Sequence, residues 1–142
     1  GKGKLVNYFE NWCAVVDSLE VCKNVAENME VLPFDKAAEV IEAATGLKLK
    51  ATEVMQIGER IVNIERAFLV REGITRADDT LPRRFLQEPL QKGNSKGSVI
   101  ELGIILDEYY HARRWDKRTG IPTQEKLKEL GLHQVIEQIR AT

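Results

Sequence analysis

Two apolar stripes at helical spacing run through residues 54–69, and no other feature constrains the fold as much. Val54, Ile57, Ile61, Ile64 and Phe68 recur every three or four residues, while Met55, Val62 and Leu69 recur every seven. Such repeats specify an α-helix, because only a 3.6-residue turn brings these positions onto common faces. Two stripes predict a helix packed around much of its circumference and central to the fold. Thr52 is a candidate N-cap, and Gly73 stands just past the predicted end. The charges within this run are Glu59, Arg60, Glu65, Arg66, Arg71 and Glu72. They have to reach water or find partners, since an unpaired charge in a core is costly.

The other segments read as helices as well. No stretch alternates apolar and polar residues in the way a half-buried strand requires. A first helical region covers residues 5–29, with Asp17 or Ser18 placed to cap a second segment if the helix breaks there. Val31-Leu32-Pro33 interrupts it. A helix over 35–45 turns Ala38, Ile41 and Ala44 inward and ends at Gly46. Residues 75–80 are turn-like, a short helix starts at Pro82, and 88–98 read as an exposed loop. A long helix over 99–115 presents Leu102, Ile105, Leu106, Tyr109 and Tyr110 at core-like spacing. After a turn at 116–122, Thr123 caps a helix that ends near Leu130 with Gly131 behind it. Residues 132–141 form the last helical segment. The expectation is one all-α domain over residues 1–142, a multihelical orthogonal bundle of about six to eight helices.

Composition excludes several function classes. The 142 residues carry 21 basic and 22 acidic side chains, a net charge of −1. No global field draws such a chain to nucleic acid or to an anionic membrane. Arg83, Arg84, Arg113, Arg114, Lys117 and Arg118 accompany Tyr109, Tyr110 and Trp115, but acidic residues interrupt them. Solvated helix ends are therefore expected rather than an RNA surface. Gly93-Asn94-Ser95-Lys96-Gly97-Ser98 lacks the spacing and the preceding strand of a phosphate loop. No apolar run approaches the ~18 residues of a membrane span. Asn7, Glu10 and Asn11 break the stretch that a signal peptide needs. Cys13 and Cys22 are too few for a disulfide scaffold, which points to a reducing cytoplasm. The missing initial Met suggests an excised or processed segment.

Few residues offer chemistry by themselves. A Cys22 thiolate suits an iron–sulfur cluster or zinc, yet either centre takes four ligands. The chain has two cysteines and two distant histidines, His111 and His133. From composition alone, Cys13 and Cys22 read as small buried hydrophobes. Glu59, Arg60, Glu65 and Arg66 read either as ion pairs that orient helices or as a charged network beneath a cofactor or along a substrate channel. Asp78 and Asp79 fit a turn at a helix start better than a metal site. His111 reads as a partly exposed side chain without a paired acid.

Asp17-Ser18-Leu19-Glu20-Val21-Cys22, followed by Lys23, resembles the Asp-x-x-Gly-Leu-Cys motif of the tungsten-dependent aldehyde:ferredoxin oxidoreductase family. The downstream order agrees. Ala43-Ala44-Thr45-Gly46 is similar to that family's Ala-Thr-Gly turn. Gly58-Glu59-Arg60-Ile61, Asn63-Ile64-Glu65-Arg66-Ala67-Phe68 and Arg71-Glu72-Gly73 resemble its long helix. Asp78-Asp79-Thr80-Leu81-Pro82-Arg83-Arg84, Asp107-Glu108-Tyr109-Tyr110, Trp115-Asp116, Gly120-Ile121-Pro122-Thr123 and the segment from Lys126 to Leu132 continue the series. Each motif is short, but their order and spacing hold along most of the chain.

The resemblance implies a C-terminal helical part of an enzyme that oxidises aldehydes to carboxylic acids. The implied cofactors are a tungstopterin (tungsten held by two pterin dithiolenes) and a 4Fe–4S cluster that passes electrons to ferredoxin. Carried over by position, Cys22 becomes the fourth cluster ligand, and Asp17 and Val21 become pterin contacts. The other three cluster cysteines belong to a Cys-x-x-Cys-x-x-x-Cys segment in a preceding domain, absent here. The N-terminal and middle domains of the same polypeptide are thus implied partners, with a small aldehyde as substrate, and a homodimer stays open. No cofactor is expected on this piece alone, and no catalytic acid or base is assigned. Glu20 and Val21 stand where the motif has Gly and Leu. Two explanations compete: a subfamily with a shifted cofactor pose, or a helical interaction module that kept the fold and lost cofactor binding.

Overall fold

A computed structural model describes residues 1–26 and 31–140. Among these there are eight α-helices, one 3-10 turn and no strand; a single isolated bridge joins Trp115 and Pro122. The chain is all-α, as the periodicity predicts. No helix is long and apolar enough to cross a membrane.

Helix α1 (Lys2–Ser18) stops short of the expected continuous segment. The Glu20 N–H donates to the Asp17 carbonyl (3.1 Å) and the Val21 N–H to the Val16 carbonyl (3.3 Å). This is a Schellman cap, whose outer residue has to be left-handed. Glu20 takes that role with φ +56°. A four-residue helix, α2 (Lys23–Ala26), follows. Neither Asp17 nor Ser18 caps it: the Ala26 N–H bonds the Cys22 carbonyl (3.1 Å), and Ser18 Oγ donates back to the Ala14 carbonyl (2.7 Å). The expected continuation to Met29 falls outside the described residues, as does the last helix's expected end at Ala141.

Helix α3 (Phe34–Thr45) ends at Gly46, as expected, but buries Phe34, Ala37 and Ala38 while Ala44 is exposed. Helix α4 (Ala51–Arg71) starts two residues earlier than the Thr52 cap implies. Lys50 is the N-cap, and its N–H donates to Glu53 Oε2 (2.8 Å). A 3-10 turn (Arg76–Asp78), α5 (Arg83–Gln87) and α6 (Leu102–Arg113) follow. Helix α6 begins three residues late, because the Ile100 N–H is bound to the Phe85 carbonyl (2.9 Å) instead. Thr123 caps α7 (Gln124–Glu129) as expected, its Oγ1 accepting from the Lys126 N–H (3.2 Å). Helix α8 (His133–Arg140) packs on α7 and α4.

Helices α1 and α4 organise the molecule. Helix α1 lies against α4 and α6, and α3 covers the start of α4. Two glycines set these crossings. A Cβ on Gly58 would stand 2.1 Å from the Asn11 carbonyl oxygen, and one on Gly3 would stand 2.4 Å from the Tyr109 nitrogen. Backbone meets backbone at both places, so no side chain fits. The main core gathers Trp12, Val15, Val16, Ala26, Leu32, Phe34, Ala37, Ala38 and Val54.

The contact at Gly58 fixes the rotation of α4 and corrects the sequence reading. The buried stripe is Val54, Gly58, Val62 and Arg66, one residue every four. The expected Ile/Phe stripe turns in only at its start: Val54 is buried and Ile57 and Ile61 are half-buried, but Ile64 is 45% and Phe68 53% exposed. Met55 and Leu69 are exposed as well.

Candidate functional site

The residues singled out at the end of α1 sit on its Schellman cap. Val21 is half-buried and packs against the main core. This is the apolar contact that accompanies such a cap. Cys22, the next residue, is exposed and free. The expectation that both cysteines are buried hydrophobes fails here; Cys13 alone approaches it, half-buried against the core. Asp17 is exposed and pairs with Lys23 Nζ at 2.9 Å, so the ion pair brackets the thiol in sequence. The left-handed residue of the cap is Glu20, at the position where the resembling motif has Gly. Glu20 therefore keeps the backbone path that glycine adopts most easily.

A cleft of about 750 Å³ opens between α1, α4 and α6. Val6, Val62, Leu69, Leu81, Ile105 and Leu106 form apolar walls, and Glu10, Glu65, Asp79, Tyr109 and Tyr110 supply polar groups. On α1 the cleft residues Lys2, Val6 and Glu10 share one face with Cys13 and Asp17, because spacings of four, four, three and four stay on one side of a helix. Glu10 and Asp17 lie about 10 Å apart along that axis.

Two tyrosine–carboxylate–arginine sets build the floor. Arg66, 5% exposed, forks onto Asp79 at 2.8 and 2.7 Å and donates Nε to the Gly120 carbonyl at 2.9 Å. The Tyr110 hydroxyl donates to the same Asp79 carboxylate. Arg113 is completely buried. It donates to Asn11 Oδ1 (2.5 Å), Glu10 Oε2 (2.7 Å) and the Tyr109 hydroxyl (3.1 Å). Tyr109 in turn donates to Glu10 Oε2 at 2.5 Å. Trp115 stands edge-on to Tyr109 (5.4 Å between centroids) and donates Nε1 to Asn63 Oδ1 (2.9 Å). Burial, then Asp79, pushes the Tyr110 phenol up to about 12. Burial raises Tyr109 as well, against the opposing pull of Arg113. Both phenols are protonated donors at neutral pH.

These sets sort the charges of the sequence reading. Arg66 pairs with Asp79, and Glu59 pairs with the nearly buried Lys126 (2.7 Å), which is the helix-orienting role. Arg60 and Glu65 are exposed and form no ion pair among the described residues. Asp78 is a turn residue as expected, its Oδ2 accepting from the Thr75 N–H (2.8 Å) and Oγ1 (3.0 Å). Those bonds hold its carboxyl below the usual carboxylate range. Asp79 corrects its reading: it is the anchor of Arg66. Arg113 corrects another, being a core cation rather than a solvated helix end; Arg83, Arg84, Arg114, Lys117 and Arg118 are exposed as expected. His111 is exposed as expected. Sequence reasoning missed Glu10, Asn11 and Asn63, whose only signal was a polar residue at a core-facing helical position. Among the described residues no three His, Cys, Asp or Glu side chains converge to hold a metal.

Fold and site together define an all-α chain with a chemical face carried by α1 and α4. The family described as "Aldehyde ferredoxin oxidoreductase, domains 2 & 3" matches residues 1–132. The chain is 39% identical over 134 residues to a tungsten-containing aldehyde ferredoxin oxidoreductase of Pyrococcus horikoshii, covering 94% of this chain and 21% of that protein. Its counterpart in Pyrococcus abyssi is 38% identical over 95% of this chain and 22% of that protein. An aliphatic sulfonate oxidoreductase, WOR-like subunit, of Pyrococcus furiosus is 29% identical over 89% of this chain and 21% of that protein. The chain belongs to the aldehyde ferredoxin oxidoreductase family. It spans about a fifth of the length of the curated relatives it matches.

Proposed function

We propose that this chain is the C-terminal helical domain of a tungstopterin and iron–sulfur oxidoreductase that oxidises aldehydes to carboxylic acids with ferredoxin as electron acceptor. The carrying observation is an exposed, unpaired thiol at a helix cap, next to the α1 face that leads from Asp17 into an apolar-walled cleft. The donor chemistry fits. A thiolate is a soft ligand for iron, and Cys22 supplies one of four; three more have to come from preceding domains of the same polypeptide. Tungsten, pterins and a 4Fe–4S cluster supply the redox chemistry when bound.

The residues of this chain position and exclude. The cap holds Cys22 through backbone hydrogen bonds rather than through a flexible loop. Asp17 offers carboxylate oxygens to pterin N–H donors, and Val21 seats the cap on the core beside it. Helix α4 and α6 wall the cleft, keeping water away from an apolar aldehyde tail. An aldehyde and water yield a carboxylic acid, two protons and two electrons, the electrons leaving toward ferredoxin.

The test uses the complete polypeptide that carries this chain. Tungsten, pterin and about four irons are expected per polypeptide, with aldehyde-dependent ferredoxin reduction. Cys22→Ser should lose iron while helical content is retained. Iron content unchanged by that replacement refutes the ligand role. The 142-residue chain alone is expected to bind neither metal nor pterin.

A further inference from the structure

Among the described residues four carboxylates line the cleft: Glu10, Glu65, Asp78 and Asp79. Three are committed. Glu10 is held by Arg113 and Tyr109, Asp79 by Arg66 and Tyr110, and Asp78 by its own Thr75 turn. Glu65 makes no hydrogen bond and no ion pair among the described residues. Lys23 acts on it only through space, and that ammonium is bound to Asp17. Among the described residues the cations lining the cleft are Arg66, which is bound to Asp79, and the exposed Lys2 on the opposite helix.

We infer that Glu65 sets the charge selectivity of the cleft, which takes a neutral aldehyde with an apolar tail and rejects one that bears a carboxylate or sulfonate. An anionic tail entering this space loses its water against Val6, Leu69, Ile105 and Leu106. It then meets a carboxylate that no arginine offsets. Both effects oppose binding, and because Glu65 is exposed the second is screened by salt. A neutral tail meets neither. The inference takes the ligand class from the proposed aldehyde oxidation, but it is read by binding and so fails separately.

The experiment uses the complete holoprotein and two unreactive probes, 1-hexanol and 6-hydroxyhexanoate, titrated by ligand-observed NMR. The wild type should bind the neutral probe at least about tenfold more tightly, equivalent to ~1.4 kcal/mol. Glu65→Gln should shrink that ratio to about threefold, and Glu65→Lys should invert it, both changes weakening at high salt. Glu65 is exposed and unbonded, so neither replacement threatens the fold, and circular dichroism checks this. A ratio near one in the wild type, no binding of either probe, or a ratio that both variants leave unchanged overturns the inference. Hexanal oxidation is measured alongside. If the ratios behave as expected while hexanal is not oxidised, the charge selectivity stands and the aldehyde reading falls.

Discussion

Replacing Glu20 by glycine should stabilise this protein, and the size of the gain follows from the cap. Glu20 sits at φ +56°, in the left-handed region. That conformation costs an L-residue ~1–2 kcal/mol through the clash of Cβ with the following carbonyl. Glycine removes the clash but frees the unfolded chain, returning ~0.5–1 kcal/mol. Glu20 also places a negative charge beside the negative end of the α1 dipole, and its removal contributes ~0.3 kcal/mol. The net expectation for Glu20→Gly is a gain of ~1 kcal/mol, or a rise of ~3 °C in Tm. Glu20→Ala is the informative control, since it deletes the charge but keeps the clash. It should gain no more than the ~0.3 kcal/mol of the dipole effect. Urea and thermal unfolding of both variants decide the matter. An alanine variant as stable as the glycine one would show that charge, not backbone strain, is the cost at this position. A glycine variant less stable than the wild type would show that the left-handed cap is not the dominant conformation.

Two further outcomes follow from the packing. Gly58→Ala places a methyl 2.1 Å from the Asn11 carbonyl, so α1 and α4 have to separate. A loss of ~1–3 kcal/mol is expected from urea midpoints, and an unchanged midpoint would contradict the close crossing. Alkaline stability should reflect Tyr110, whose phenol rises from 10.0 to about 12 in the folded state. A group with a raised folded pKa contributes stability that is complete below the unfolded value and is lost as pH rises through the folded one. Stability should therefore fall between pH 10 and about 12, measured by circular dichroism together with tyrosinate absorbance. Tyr110→Phe should reduce that slope and leave the part that comes from the raised Tyr109 phenol, and a slope that persists unaltered points elsewhere.

The sequence was legible where the physics is local. Helix formation, the Gly46 and Gly131 ends and the Thr123 cap depend on a few adjacent residues, and each appears where local chemistry puts it. The ordered motifs along the chain were enough to indicate the family. The exposed end of α1 was half legible. Its break was anticipated near Asp17, but the Schellman cap was not, because a glutamate occupies the position where glycine would have marked it.

What the sequence by itself determined is that this chain is helical and which family it belongs to, since periodicity, caps and short motifs are written in neighbouring residues. What only the tertiary structure decided is which faces meet. The stripe of Ile64 and Phe68 satisfies the same helical period as the buried stripe, so periodicity cannot rank them. The choice fell to Gly58, the residue that lets two backbones touch. The partners of Arg66 and Arg113 were equally invisible: Gly120 is 54 residues from Arg66, and Asn11 is 102 residues from Arg113. A buried charge is stable only where the folded chain brings it a counter-charge, and that is a property of the assembled helices rather than of any one of them.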